Sequence, residues 1–293
     1  MGLILTIFEQ GLIYAILGMG VYITYKILDF PDLTVDGSFP LGAAITAILI
    51  TNGINPYLTL PIAFLIGAFA GVLTGLIHVV FKVRDLLSGI IMMTALWTIN
   101  LRLAGTSNVP LFSQETIFRN EFLQTLFPNM SGRYVNLIVI LILIISVKLL
   151  LDAYLSTKSG FLLRAVGDND TLVTSLAKDK GIVKIQGLAI SNGLVALSGA
   201  IFCQSERVFE ISSGTGAIVI GLASVIIGTS IFKNVTFLKA TTAVVIGSIL
   251  YKLCVAMAIR SFEPQDMKLI TAALFLLILI VGMERKKKVK TNA

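Results

Sequence analysis

The stretch "YVNLIVILILIISVKLLLD", residues 134–152, decides which kind of fold this chain adopts. Its only charged side chains, Lys148 and Asp152, lie near one end. A run of about 18 or more apolar residues crosses a bilayer as a helix, because roughly 20 residues at 1.5 Å each match the hydrocarbon thickness. Only helices and closed barrels satisfy every backbone group in lipid, and the alternating segments of a barrel are missing from this sequence. We therefore interpret residues 134–152 as a membrane-spanning helix.

Eight further segments of the 293-residue chain have the same apolar character. The composition agrees, since 56% of the residues are hydrophobic and 13% are charged, against roughly a quarter charged in soluble domains. The sequence predicts an all-α polytopic membrane protein with about nine transmembrane helices (8–10) in one domain, 1–293. Residues 1–10 are too short to span and are expected to form an interfacial or partly inserted helix. The predicted helices cover 11–28, 38–52, 57–81, 86–104, 134–152, 183–204, 214–232, 238–259 and 267–283.

The net charge of +7 fits a membrane protein. Cytoplasmic loops of membrane proteins collect Lys and Arg, so the surplus requires no nucleic-acid partner. With the basic tail 284–293 in the cytoplasm, alternation of nine helices puts sixteen of the 23 basic residues on that side and six on the other. Lys252 lies within a helix. This bias predicts a multi-pass protein with its N-terminus outside and its C-terminus in the cytoplasm.

Two long connections interrupt the helices, a predicted external loop over 105–133 and a predicted cytoplasmic loop over 153–182. Inside the second, "GDNDTLVTSLAKDKG" (167–181) predicts a short surface helix. Acidic and amide side chains at its start cap the free N–H groups of the first turn, and Gly181 ends it in a left-handed conformation. Two interpretations stay open: a linker helix resting on its own bundle, and a helix that inserts into a groove of a cytoplasmic partner.

The same loop carries a family resemblance. Residues 159–202, which begin "SGFLLRAVGDND", contain an Arg-Ala-x-Gly-x-Asn core and a later Ser-Gly pair at Ser198 and Gly199. This pattern resembles the coupling segment of ABC-importer permeases of the branched-chain amino-acid and ribose type, and the resemblance extends over about 11–282. It implies a type II importer-like bundle with a cytoplasmic coupling helix. The residues that it implies for coupling to the ATPase are Arg164, Gly167, Asn169, Asp170, Leu172, Leu176, Lys178 and Gly181.

The resemblance also implies partners and a location. They are a second permease copy (a homodimer), an ATP-binding-cassette ATPase dimer, an extracytoplasmic solute-binding protein, a small solute and the lipid of a bacterial inner membrane. The chain has no Gly-x-x-x-x-Gly-Lys-Ser/Thr phosphate loop, so ATP and Mg²⁺ are expected on the ATPase partner. We expect no cofactor, no metal site and no enzymatic activity in this subunit.

The segment "DLTVDGSFP", residues 32–40, puts two carboxylates, a glycine and a proline between apolar runs. It resembles the Asp-Leu-Ser-Val-Gly motif of the sugar-type permeases, with an additional Asp36 and with Pro40, and the resemblance implies a helix break beside the translocation path. Gly and Pro are poor residues for a helix interior, and irregular backbone at membrane depth needs protein or a water-filled cavity around it. The alternative is a plain cytoplasmic turn with solvated aspartates. The path candidates here are Asp32, Thr34, Asp36 and Ser38.

Further polar side chains fall inside predicted spans. Thr94, Trp97 and Asn100 lie within about two turns of one helix, and Asn192 lies in another. They are additional path candidates, although Trp97 also suits an interfacial belt and Asn192 a helix–helix contact. Lys252 is an intramembrane cation, for which snorkelling and pairing with a carboxylate both remain open.

Basic residues of the external side form a candidate docking rim for the solute-binding protein, with a solvated surface as the alternative. Rim charges affect the rate and orientation of docking more than affinity. The candidates are Arg119, Arg133, Arg207 and Arg260.

These features favour a permease subunit that imports a small solute. The Met- and Trp-bearing candidate lining and the scarcity of intramembrane carboxylates favour an aromatic or aliphatic amino acid, with a sugar or nucleoside as the alternative. A self-sufficient secondary transporter or channel would use acidic residues at mid-membrane, and the predicted helices place none there. A membrane enzyme finds no support in the sequence, which carries no metal-binding or nucleophile–base motif.

Overall fold

A computed structural model describes residues 2–126, 131–168, 179–233, 235, 237–259 and, within 269–280, all but 270, 274 and 279. The described residues of 269–280 are helical. The named elements in chain order are α1 (Gly2–Val21), a π-helix (Tyr22–Ile27), α2 (Val35–Thr51), α3 (Pro56–Val79), α4 (Asp85–Ala104), β1 (Asn108–Pro110), α5 (Glu121–Leu126), α6 (Gly132–Leu155), α7 (Lys158–Asp168), α8 (Lys180–Glu206), β2 (Val208–Glu210), a 3₁₀ helix (Ile211–Gly214), α9 (Ala217–Ile231) and α10 (Ala240–Ile259).

Seven helical stretches of the described chain are long and apolar enough to cross a membrane. They are α1 with its π-helix, α3, α4, α6, α8, the 3₁₀ helix joined with α9, and α10. The prediction of a polytopic all-α protein is therefore confirmed. Two of the nine predicted transmembrane helices are not among these seven spans. α2 has only 17 residues, and the predicted helix 267–283 lies partly outside the described residues.

Residues 2–10 are helical but do not form a helix of their own, and how far they enter the membrane stays a prediction. α1 begins at Gly2, and residues 4–27 form a single candidate span. The first ten residues contain no proline to stop the helix, and their polar pair Glu9 and Gln10 lies at the end of the bundle where α8 finishes. There the Gln10 amide donates to Glu206 Oε1 at 3.3 Å.

α8 is the central helix, against which α1, α2 and α3 pack. Small residues of α3 bring its backbone close to α8. A Cβ added at Gly71 would overlap the carbonyl oxygen of Leu188, and one added at Gly67 would overlap Ala196. Small side chains let helix backbones approach closely in a membrane, where burial from water supplies no driving force.

Serine hydroxyls fasten α1 to its neighbours. Ser191 and Ser198 of α8 donate to the carbonyl oxygens of Gly20 and Ile13, both at 2.8 Å. Donors and acceptors are seven residues apart on each helix, so the two bonds repeat after two turns. Ser248 of α10 donates to Gly11 O at 2.8 Å on another side of α1.

The two ends of the bundle differ in their connections. At one end, β1 pairs antiparallel with β2, with Val109 opposite Phe209, and joins the loop after α4 to the segment after α8. At the other end, α7 follows α6, and the Asp152 carboxylate accepts hydrogen bonds from Lys148 Nζ at 2.9 Å and Thr241 Oγ1 at 2.6 Å. Asp152 thereby ties α6 to the start of α10.

Candidate functional site

Asp32 lies near the middle of the bundle. Its Oδ2 accepts a hydrogen bond from Asn192 Nδ2 at 2.7 Å. Asn192 is twelve residues after Lys180 and fourteen before Glu206 in α8, which at 1.5 Å per residue is about 18 Å and 21 Å from the two helix ends. Residues 28–34 are not helical. Because Asp32 contacts Asn192, this segment returns to the mid-depth of the bundle before α2 begins. The interpretation of this segment as a solvated cytoplasmic turn is wrong.

A polar network, which we call the Asp32 network, surrounds this carboxylate. The Thr34 N–H donates to Asp32 Oδ1 at 2.9 Å, and the Ser38 hydroxyl donates to Asn192 Oδ1 at 2.7 Å. The Thr34 and Thr74 hydroxyls are 3.0 Å apart. All five side chains are at most 1% exposed. A buried network in which each group has a partner fixes one arrangement of the backbone segments that it joins.

Hydrogen-bond donors surround the Asp32 carboxylate. Among the described residues, no Lys, Arg or His lies within ion-pair distance of it. An isolated buried charge is costly unless fixed donors compensate it. The prediction that no acidic residue lies at mid-membrane is wrong, because Asp32 contacts the middle of α8.

Asp36 holds the start of α9. Its two carboxylate oxygens accept hydrogen bonds from the backbone N–H groups of Gly216, at 3.0 Å, and Ile218, at 2.8 Å. The carboxylate therefore acts as an N-terminal cap supplied from α2, where negative charge also suits the helix dipole. Gly216 has φ +83°, a left-handed conformation that favours glycine. The additional acid of the motif thus has its structural partners 180 and 182 residues later in the chain, at the start of α9.

The three α4 candidates do not share one face. Asn100 is buried, and its Nδ2 donates to Gly37 O at 3.0 Å, beside the Asp32 network. Thr94 is exposed and donates to the carbonyl oxygens of its own helix, and Trp97 is 45% exposed. A helix turns about 100° per residue, so Thr94 and Asn100 point about 120° apart. Thr94 and Trp97 therefore remain candidates only for a path outside this single-chain bundle.

The coupling candidates are only partly described. Asn169, Asp170, Leu172, Leu176 and Lys178 lie outside the described residues. α7, which the sequence did not predict, packs on the bundle through Leu163 and Val166, and a Cβ at Gly167 would overlap Ile27 O. Arg164 is exposed.

The prediction that Gly181 ends a helix is wrong. It is the second residue of α8, and its N–H donates to Asp179 Oδ1 at 2.7 Å. A Cβ there would overlap the Val79 side chain, so close packing rather than a left-handed conformation explains this glycine.

Three predicted docking residues lie at the end of the bundle that carries the β1–β2 pair. Arg119 and Arg133 are exposed. Arg207 ends α8 with φ +57°, and its guanidinium carbon lies 5.7 Å from the centroid of the Phe112 ring. Arg260 lies outside the described residues.

Sequence reasoning missed two polar groups and a cation–π contact. Thr74 joins the Asp32 network from α3, and Asp152 ties α6 to α10. A lone threonine or a helix-end aspartate carries no distinctive pattern. The third is the contact of Lys252, whose Nζ lies 3.8 Å from the centroid of the Tyr14 ring, a partner that the sequence analysis did not include.

Seven candidate spans, a non-helical segment at mid-depth and a buried polar network define the class of polytopic transport proteins, in which broken helices near the membrane midplane form solute and ion sites. Comparison with known families gives the particular family. Residues 3–282 match the family described as "Branched-chain amino acid transport system / permease component", and the chain belongs to it. It is thus a permease of the ABC-transporter type.

Curated relatives cover most of the chain. A tyrosine transport system permease protein of Clostridioides difficile (strain R20291) is 42% identical over 99% of this chain and 95% of its own length. An uncharacterized protein of Rickettsia prowazekii (strain Madrid E) is 32% identical over 98% of this chain and 99% of its own. A probable branched-chain amino acid transport permease protein of Methanocaldococcus jannaschii is 28% identical over 73% and 70%. No solved structure matches the chain.

Proposed function

We propose that this chain is the non-catalytic permease subunit of an importer for an amino acid, with an aromatic amino acid as the preferred solute. The Asp32 network carries the proposal, because it places fixed polar groups in a broken segment at mid-depth. The 42% identical relative is named for tyrosine transport, which supports an aromatic solute. A sugar or nucleoside is the second candidate, favoured by the resemblance of "DLTVDG" to the sugar-type motif.

The path itself is proposed to lie between two copies of the chain. The Asp32 network is closed to solvent within one copy. The exposed face of α4, with Thr94 and Trp97, offers polar and aromatic groups that one copy leaves uncovered. In this arrangement the two α4 faces line the path, and the networks behind them fix the backbone that supports each face.

Coupling to ATP is proposed to run through the segment between α7 and α8. That segment leads directly into α8. Asn192 lies in the middle of α8 and donates a hydrogen bond to Asp32. ATPase closure that shifts the start of α8 would move α8, with α1 and α3 fastened to it, against α4 and α6 between two discrete arrangements. The N-terminus and the β1–β2 end would face outside, and α7 and the tail 284–293 would face the cytoplasm.

Co-purification tests the assembly. A tagged permease extracted from its own membranes should retain an ATP-binding subunit, and the complex should hydrolyse ATP faster when its solute-binding protein carries solute. Reversing the charges within 168–180 should abolish this stimulation while the permease still elutes as a folded membrane protein. Charge reversal in the tail 284–293 is the matched control, with stimulation retained. Full stimulation in the 168–180 variant would contradict the proposed coupling role.

Solute identity needs a separate measurement. Tyrosine, leucine and ribose are offered to the cognate solute-binding protein and then to the complete importer in proteoliposomes. ATP-dependent uptake of tyrosine in preference to the other two supports the proposal. Uptake of ribose alone would favour the second candidate, and uptake without any ATPase would favour a secondary transporter.

A further inference from the structure

A cavity of about 280 Å³ opens at the end of the bundle that carries α7. Elements distant in sequence meet around it: the π-helix after α1, the end of α6, α7, and the start of α10. Its polar lining consists of Tyr22, Asp152, Ser156, Arg164, Lys239 and Thr241. None of these except Arg164 belongs to the predicted transport machinery.

The charges around the cavity leave a positive excess. The Asp152 side chain is 7% exposed, and its carboxylate accepts from Lys148 Nζ at 2.9 Å and lies 3.3 Å from Lys239 Nζ. Lys148 alone neutralises this carboxylate. Lys239, whose side chain is 68% exposed, retains donors for a second partner. Arg164 is exposed, and none of the carboxylates whose side chains the structure describes, a set that leaves out Asp168, lies within ion-pair distance of it.

Exposed aromatic side chains flank these cations. Phe161, one turn before Arg164, is 60% exposed and its ring centroid lies 6.0 Å from the Arg164 guanidinium carbon. Phe237, two residues before Lys239, is 96% exposed. Two cations beside two outward apolar rings suit the membrane interface, where phosphate groups meet the boundary of the acyl chains. A soluble anion would use the cations but would leave the rings uncovered.

We propose that this cavity binds the phosphodiester headgroup of an anionic membrane lipid. The Arg164 guanidinium presents a planar fork of donors that matches two phosphate oxygens, and Lys239 adds a second positive charge. Basic pockets between transmembrane helices on the cytoplasmic side are a known type of headgroup site. A lipid held here would join α7 to the start of α10. The site does not depend on which solute crosses the membrane.

Native mass spectrometry of the full-length permease tests the proposal, with phosphatidylglycerol and phosphatidylcholine offered in equal amounts. We expect selective retention of phosphatidylglycerol. Arg164→Gln and Lys239→Gln should each weaken it about fivefold, because one cation near an anionic lipid surface contributes roughly that factor. Arg164→Lys should weaken the binding by less than Arg164→Gln does, because it keeps the charge but loses the planar fork. Arg84→Gln, at an exposed arginine of the same end of the bundle but not of the cavity, is the matched control and should bind like the unchanged protein.

Three results would overturn the assignment. The first is equal retention of the two lipids. The second is unchanged phosphatidylglycerol binding in Arg164→Gln and Lys239→Gln. The third is displacement of the lipid by soluble glycerol phosphate at equal concentration, which would identify the cavity as a site for a free phosphate ester. Each variant is compared at matched elution volume and helical content, and Arg164→Lys keeps the test decisive if a glutamine variant fails to fold.

Discussion

Exchanging the carboxylate and the amide of the Asp32–Asn192 pair gives the sharpest test of the network. In Asp32→Asn, an amide N–H₂ replaces a carboxylate oxygen and faces the N–H₂ of Asn192, so two donors meet. In Asn192→Asp, two carboxylates meet across the present 2.7 Å contact. In the double exchange, the new amide at position 32 donates to the new carboxylate at position 192. Ser38 and the Thr34 N–H keep their partners as well.

The expected energies follow from these contacts. A hydrogen bond to a buried charge contributes about 1.5–3 kcal/mol, and we expect Asp32→Asn to cost about 2–3 kcal/mol of the free energy of unfolding. Asn192→Asp leaves uncompensated buried charge and should cost about 3–5 kcal/mol. The double exchange loses only the bond from Asn192 Nδ2 to Leu188 O, now 3.1 Å, which corresponds to about 1 kcal/mol.

Thermal unfolding in detergent measures this cycle. At about 2–4 °C per kcal/mol, the single variants should unfold roughly 5 °C or more below the unchanged protein, and the double exchange within about 4 °C of it. Thr46→Val is a suitable control, because the Thr46 hydroxyl is buried in α2 without a hydrogen-bond partner. It should leave the unfolding temperature unchanged or raise it slightly.

A double variant as unstable as the sum of the single ones would refute the proposed bond between these side chains. Single variants as stable as the unchanged protein would show that neither group is buried as described. Solute uptake by the double variant adds a functional measurement. Normal stability with lost uptake would mean that the carboxylate itself is needed at position 32.

Three further predictions concern other contacts. Asp36→Ala should lower the unfolding temperature by an amount that corresponds to about 1–2 kcal/mol, because two N–H groups of α9 lose their cap; thermal unfolding at an unchanged temperature would argue against that cap. Gly71→Val should prevent normal packing of α3 on α8 and reduce the yield of folded permease, whereas Gly132→Ala, where a Cβ meets open space, should not; equal yields would contradict the close contact. Lys252→Met should destabilise the protein by up to about 2 kcal/mol and Lys252→Arg by less, since only the arginine keeps a cation over Tyr14; equal unfolding temperatures for the two variants would exclude a cation–π contribution.

Local signals allowed the sequence to predict helix positions well. α3 begins at Pro56 after Asn55, whose side chain accepts from the Tyr57 N–H, and α4 ends at the left-handed Gly105. No local sequence signal of this kind shows how deep in the bundle a residue such as Asp32 lies. The position of Asp32 depends on how far α1 extends and on its hydrogen bond to a side chain 160 residues away.

The tertiary contacts of single residues could not be predicted from the sequence either. Asp36 was recognised as unusual, but its partner is the backbone of another helix. Thr94, Trp97 and Asn100 form one cluster in sequence, yet the turn of the helix separates them. The sequence pattern predicts that Gly181 ends a helix, whereas close contact with Val79 explains this glycine. In each case a tertiary contact overrode a valid local preference.

The two serine bonds between α8 and α1 bear on how the bundle moves. A slide of α1 along α8 by half a helical turn would break both bonds at once, since the hydroxyls and their acceptors share one spacing. The glycine contacts of α3 add a steric lock on another face of α8. We expect α1, α3 and α8 to behave as one rigid block during a transport cycle. The elements that move relative to this block are then those with fewer contacts to it, among them α4 and α6.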